Sequence, residues 1–206
     1  MKKLLLVLLS LVMLFSFCAC GAYTDEEAAK IIDALLIREA DLNGYIYFDS
    51  FKTAKEPTED DLNSQYQHYY LVDPTSKYVT LTALQSEVDR LYTKEARESV
   101  YEHAFTGISD ETFSRPPRFF EDEEGLKINV SGEKYSGRTL ALLGSAKVKR
   151  SNEIHILAEV TTYRFDKEGN PILHIKEIEV LLEDGAWRLM GQSLIAGTTD
   201  EALIKE

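Results

Sequence analysis

The chain has little of what enzyme active sites usually leave in a sequence. Of its 206 residues, two are cysteine, four are histidine and one is tryptophan. Both cysteines, Cys18 and Cys20, fall within the first twenty positions, so the remainder has no thiol pair and must be held together by core packing without a disulfide. That is feasible, because a domain of ~150 residues buries about two-thirds of its unfolded surface. There is no glycine-rich phosphate loop, no His-Glu-x-x-His and no Gly-x-Ser-x-Gly elbow. These absences exclude the local motifs, whereas a Ser–His–acid group assembled from distant residues would leave no such trace. Positive charge is also scarce: 23 Lys and Arg stand against 35 Asp and Glu, a formal charge of −12. That balance argues against nucleic acid, whose binding needs a basic stripe to displace counterions, and against electrostatic adhesion to anionic lipid. The acidic excess is read first as serving solubility, and more sharply as a preference for a cationic protein surface; charge alone does not separate the two.

Only one long apolar run is present, and it lies at the start. Lys2 and Lys3 precede residues 4–17, which are apolar apart from Ser10 and Ser16; Cys18, Ala19 and Cys20 follow, and a polar segment begins at Thr24. This is the three-part layout of a secretory signal. An uncleaved membrane anchor is the alternative, since residues 4–22 approach the ~20 apolar residues that span a bilayer. The run Phe17-Cys18-Ala19-Cys20-Gly21 resembles the lipobox of bacterial lipoproteins. The resemblance implies a signal peptide over residues 1–19, acylation of Cys20, a lipid-anchored linker over residues 20–24, and a location on the outer face of the cytoplasmic membrane. Cys18 fits less well because bulky Phe17 sits directly before it.

Beyond the linker, Thr24-Asp25-Glu26-Glu27 has the form of a capping box. The helix it predicts carries Ala28, Ile31, Ile32, Leu35 and Leu36 on one face, with Lys30, Asp33 and Glu39 opposite, and ends at Asn43-Gly44. Tyr45, Tyr47, Phe48 and Phe51 read as a short strand or an aromatic strip, and residues 56–61 as an exposed acidic loop. A strand over residues 68–72 stops at Asp73-Pro74. Thr80 is placed to cap a helix that buries Leu81, Leu84, Val88 and Leu91. Thr93 is placed to cap a second, with Ala96, Val100 and Ala104 inward and Gly107 closing it. Residues 109–118, with Pro116-Pro117, read as irregular; Arg118-Phe119-Phe120 and residues 126–130 read as a hairpin about an acidic turn.

The last third alternates apolar and polar residues over residues 140–149, 153–165 and 172–182, with turns at 150–152 and 166–171. Asp184-Gly185 predicts a two-residue hairpin turn before a strand beginning at Trp187. The order of elements predicts a single α+β domain over residues 25–197 with a tail at 198–206. In it an N-terminal helix and a central helix pair pack on a curved antiparallel sheet, the general plan of NTF2-like and cystatin-like folds.

No catalytic, cofactor-binding or metal-ligating residue is assigned. The histidines are His68, His103, His155 and His174. Placing Phe165 opposite Ile172 sets His174 against Tyr163 and His155 against Leu182, so the only pair on neighbouring strands does not meet. A cone holding an acid and a tyrosine would suit proton abstraction, but with eleven tyrosines the pattern is unspecific, and Tyr163, Phe165 and Trp187 read as core. Glu177 and Glu179 share a strand face and read as its solvated side. In Arg115-Pro116-Pro117-Arg118-Phe119-Phe120, cations and rings flank a stiff diproline. Arg115, Arg118 and Phe119 are therefore partner-contact candidates, or else belong to a loop clipped against the acidic body.

Tyr69-Tyr70-Leu71-Val72-Asp73-Pro74, Tyr78-Val79-Thr80-Leu81-Thr82-Ala83-Leu84, Leu91-Tyr92-Thr93-Lys94-Glu95 and the closing Gly185-Ala186-Trp187-Arg188-Leu189 resemble the IseA family of D,L-endopeptidase inhibitors of Gram-positive bacteria. The likeness spans about residues 25–190. It implies a non-catalytic protein that blocks the cleft of NlpC/P60-type cell-wall hydrolases and restrains peptidoglycan turnover. On that reading Glu56, Glu59, Asp60 and Asp61 dock on a basic rim of the hydrolase, with apolar contacts supplying most of the affinity. Two other expectations stand beside it: an NTF2-like lipoprotein binding a small ligand in its cone, and a non-catalytic envelope scaffold. The inward positions separate them, since two or more ionisable groups lining the cone favour ligand chemistry and a solid apolar filling favours surface recognition.

Overall fold

Thr24 opens the first helix as its sequence predicts: its hydroxyl accepts the Glu27 amide at 3.3 Å, and the Glu27 carboxylate accepts the Thr24 amide at 3.0 Å. In this computed structural model, which describes residues 23–48, 50–64, 66–109, 114–131, 139–166 and 168–194, that helix is α1, Asp25–Ile46. The signal segment 1–19, Cys20 and the tail 198–206 lie outside the described residues. No helix among the described residues is long and apolar enough to cross a membrane.

Helix α1 runs beyond Asn43-Gly44, where its end was expected. The Tyr47 amide donates to the Asn43 carbonyl at 2.9 Å, and both residues of the pair are buried. Packing therefore outweighs the ~1 kcal/mol by which a helical glycine is disfavoured. Short helix α2, Glu59–Leu62, follows, then strand β1, Tyr69–Leu71. Thr80 caps α3, Leu81–Leu91, by accepting the Ala83 amide at 3.2 Å. Thr93 accepts the Ala96 amide at 3.3 Å ahead of α4, Ala96–Tyr101, which loosens into the π-helical turn Glu102–Thr106.

Two strand pairs and one larger sheet complete the α+β fold. β2, Ile108–Ser109, pairs with β3, Ser114–Arg115. β4, Phe119–Asp122, and β5, Gly125–Asn129, form the expected hairpin, and β1 joins the free side of β5. The larger antiparallel sheet contains β6, Leu140–Ala141; β7, Lys147–Ser151; β8, His155–Phe165; β9, Pro171–Glu183; and β10, Ala186–Leu189. Its order is β10-β9-β8, after which β6 and β7 share the remaining edge of β8. The continuous strand expected over residues 140–149 is thus split in two. Gly144 turns the chain at φ 77°, and its amide is held by Asp33 Oδ2 at 3.0 Å.

The β8–β9 register differs from the expected one by a single residue. Phe165 stands opposite Pro171, because proline opens β9 where no ladder donor is needed. The loop before it is fastened by the Asp166 carboxylate, which accepts the Glu168 and Asn170 amides. His174 consequently faces Thr162, and His155 faces Leu181. Asp184 and Gly185 take φ values of 53° and 76°, the positive pair that a two-residue hairpin turn demands.

Strand periodicity divides the sheet into two faces. Ile156, Ala158, Val160, Ile178 and Val180 are buried on the inner face, which α1 crosses. Residues from Ala28 to Leu194 close this core, so the chain from Tyr23 onward carries a hydrophobic interior of its own. The residues around Tyr45 form an aromatic strip: Tyr45–Phe51, Tyr45–Tyr78 and Phe51–Phe119 ring centroids lie 4.8, 5.1 and 4.9 Å apart. Phe165, expected in the core, is 55% exposed on the outer face, with Tyr163 edge-on beside it. Trp187 is partly buried against Tyr23.

Phe119, expected as a partner contact, is instead 1% exposed and packs on Phe51 and Phe105. Its role makes a clear expectation: Phe119→Ala costs about 3–5 kcal/mol of unfolding free energy in urea titrations, whereas Phe120→Ala, at a half-exposed ring, costs about 1 kcal/mol or less. Equal, small effects would contradict this packing.

Candidate functional site

The acidic stretch at residues 56–61 is a braced ridge. Thr58 accepts the Asp61 amide at 3.2 Å, Asp61 Oδ2 accepts the Thr58 amide at 3.2 Å, and this second capping box builds α2. Asp61 also accepts the Tyr70 hydroxyl at 2.5 Å and lies 3.1 Å from His68 Nδ1. The Thr58 and Tyr70 hydroxyls, the Thr58 amide and His68 hold its carboxyl down to about 2. Asp61 is therefore a structural anchor and not a free docking charge. Glu56, Glu59 and Asp60 remain exposed, and Tyr66 nearby in the chain is 72% exposed.

The second group expected at the surface turns inward. Arg118 Nη2 donates to the Phe48 carbonyl at 3.2 Å, Arg115 is half-buried in β3, and the Pro117 carbonyl accepts the Tyr69 hydroxyl at 2.6 Å. The positive charge of Arg115 and Arg118 reaches His103, whose pKa falls to about 3, mainly through burial and secondarily through this repulsion. Tyr47 packs over the His103 ring at 4.6 Å. Tyr69 and Tyr70, neighbours on β1, point to opposite faces, so they fasten the arginine segment and the acidic ridge on opposite sides of the small sheet. The two sets of candidates do not form one surface.

A different cluster, centred on Glu39, was not expected. Glu39 has no exposed surface. Its Oε1 accepts the Ser193 amide at 2.5 Å and the Tyr92 hydroxyl at 3.1 Å. Burial raises its pKa to about 7 against the pull of the Ser193 and Leu194 amides, Tyr92 and the Lys176 charge. Burial likewise pushes the Tyr92 phenol well up, with the Glu39 charge adding to it. One helical turn on, Asn43 is 2% exposed and its side-chain amide has no hydrogen-bond partner among the described residues. The same holds for Glu39 Oε2, the Thr162 hydroxyl and both ring nitrogens of His174. Thr162 and His174 are directly opposed across β8 and β9, and Lys176 is the next inward position on β9. The interior is therefore not a solid apolar filling: Glu39, His174 and Lys176 all lie on its side of the sheet or helix.

The sequence did carry a signal for Glu39. Ala28, Ile32, Leu35, Glu39, Leu42 and Ile46 recur at three- and four-residue steps, placing the carboxylate in the middle of the buried stripe. Among the described residues, no three His, Cys, Asp or Glu side chains converge as a metal-ligand set. No family model matches this chain, and no curated protein matches it.

Glu39 has a measurable signature. Its folded pKa lies above the ordinary 4.5, so its contribution to stability is complete below pH 4.5 and is lost as pH rises through about 7. By linkage the loss is roughly 3 kcal/mol. Urea unfolding from pH 4.5 to 8 is expected to show this decline in the native chain and a flatter profile in Glu39→Gln. Parallel profiles would mean that the carboxyl titrates alike in folded and unfolded chains.

Proposed function

We propose that the protein is an extracytoplasmic lipoprotein, tethered through Cys20, that binds and inhibits cell-wall D,L-endopeptidases of the NlpC/P60 type. The observation that carries this reading is the ridge: Glu56, Glu59 and Asp60 are exposed on a segment that the Thr58–Asp61 box and the Tyr70–Asp61 bond brace against β1. A pre-ordered acidic surface meets a basic rim without the entropy cost of ordering a loop, and its field speeds encounter. Exposed Tyr66 supplies an aromatic contact of the kind that dominates interface energetics. The residue likeness to the inhibitor family supports the same reading. Under it, Asp61 positions the ridge while Glu56, Glu59 and Asp60 touch the partner. Arg115, Arg118 and Phe119 shape the interior and have no contact role.

The buried polar side chains without hydrogen-bond partners among the described residues, Asn43 on α1 and the opposed Thr162 and His174 on β8 and β9, favour a second reading, in which the protein carries a small polar ligand inside. Native mass spectrometry of protein purified from envelopes separates the two. A bound small molecule that disappears in Thr162→Val and His174→Phe supports the carrier reading.

For the inhibitor reading, residues 21–206 at micromolar concentration are expected to slow digestion of peptidoglycan by a purified NlpC/P60 endopeptidase; undiminished digestion would overturn it. Reversing Glu56, Glu59 and Asp60 to lysine is expected to slow association about tenfold or more at low ionic strength and to flatten its salt dependence. Inhibition with an unchanged salt dependence would remove the ridge from the mechanism.

A further inference from the structure

The outer face of the large sheet is ordered in rows that the register defines. Leu140, Tyr163 and Leu173 form one row across β6, β8 and β9. Leu142, whose amide donates to the Thr161 carbonyl at 2.8 Å, forms the next with Thr161 and Ile175. Phe165 and Pro171 close that end. Leu142, Ile175 and Phe165 are 50%, 50% and 55% exposed and Leu173 is 36% exposed, so the apolar positions are contiguous and no described element covers them. A contiguous patch of this kind marks an interaction surface, unlike singly scattered apolar residues.

The other half of the face is charged, and its charges are sorted by strand. One row is Lys147, Glu159 and Glu177; the next is Arg150, Leu157 and Glu179. The cations stand on β7, the acids Glu177 and Glu179 on β9, and β8 runs between them. Lys147, Arg150, Glu177 and Glu179 are exposed. Within the chain Glu159 is taken by Lys149 at 2.7 Å, and Glu179 lies 3.9 Å from His155 Nε2. Lys147, Arg150 and Glu177 form no ion pair among the described residues.

We infer that this face binds a second copy of the same chain, stacked sheet on sheet about a two-fold axis lying close to β8. Such an axis keeps every row at its own level and exchanges the flanking columns. Lys147 then meets Glu177 of the other copy, Arg150 meets Glu179, the apolar rows meet themselves, and Glu159 on the axis faces its own copy with its charge offset by Lys149 of the same chain at 2.7 Å. An axis across the strands would cover the apolar rows but bring neither charged column onto its opposite. The pattern is thus complementary to itself in one arrangement, as an isologous interface requires. Face-to-face stacking of twisted sheets near ~10 Å accommodates the aromatic side chains. Four strand widths by about eleven residues give a footprint of roughly 700 Å² per copy, close to the ~800 Å² per partner of a standard interface. The acidic ridge at residues 56–61 belongs to other elements, so the pairing does not depend on the inhibitor reading.

Sedimentation velocity on residues 21–206 from 1 to 100 μM tests the inference. A dimer at micromolar concentration is expected, lost in Leu142→Glu/Ile175→Glu while circular dichroism stays native. Lys147→Glu/Arg150→Glu is expected to weaken association at least tenfold, and adding Glu177→Lys/Glu179→Lys to the same chain to restore it. Residues 21–206 contain no cysteine, so a nitroxide label on Thr161→Cys, placed near the axis, reports independently: its interchain label distance is expected to be shorter than that of labelled Glu177→Cys, which stands away from the axis. A native chain that stays monomeric up to 100 μM overturns the interface. A dimer indifferent to charge reversal, or not rescued by the second reversal, overturns the axis.

Discussion

One buried carboxylate ties together parts of the fold that are far apart in sequence. Glu39 lies in the middle of α1, Tyr92 ends α3, Ser193 follows β10, and the Lys176 charge comes from β9. Removing a carboxylate from water is costly unless it is neutralised or hydrogen-bonded, and Glu39 combines both remedies: its pKa rises to about 7 and its Oε1 accepts two hydrogen bonds. The second bond comes from a backbone amide, so it also fixes the path of the chain after the last strand. The neighbouring link from the Thr93 amide to the Leu189 carbonyl, at 2.9 Å, joins the α3–α4 junction to the same strand end. Helix, helix junction and sheet edge thus meet at one buried carboxyl, whose pKa burial raises.

The surfaces are separated from this centre by the alternation of the sheet. Inner positions of β8 and β9 hold the apolar core together with Thr162, His174 and Lys176. Outer positions hold an apolar half and a half in which charge changes sign from β7 to β9. The acidic ridge occupies a third region, fixed to the small sheet through Tyr70. A chain with so large an acidic excess repels copies of itself at long range, so any pairing must rely on local order in its charges; the columns of β7 and β9 provide that order.

Features written locally were legible in the sequence. The capping boxes and caps at Thr24 and Thr80, the Asp184-Gly185 turn and the β4–β5 hairpin each depend on residues within a few positions of one another, and each formed as read. The α+β layout followed from their order. Features decided by distant contacts were not legible. Gly44 and Asn43 stay helical because the core covers them, and Phe119 is drawn inward by Phe51 and Phe105. The strand over residues 140–149 breaks where Asp33, more than a hundred residues earlier, captures the Gly144 amide. The β8–β9 register departs by one residue from the expected one because Pro171 belongs to β9 and not to the turn: a strand's first residue needs no donor. Glu39 lies on the buried face of its helix against the expectation that charge is exposed, and the spacing of the apolar stripe runs through it.

Whether Glu39 is the proton-sensitive centre of this fold is open to direct observation. A carbon-13 NMR titration of the Glu39 carboxyl in the folded chain, assigned by its absence in Glu39→Gln, reads its protonation without reference to unfolding. A midpoint near 7 is expected; a midpoint at the 4.5 of an exposed glutamate would contradict the buried junction on which the rest of the structure is built.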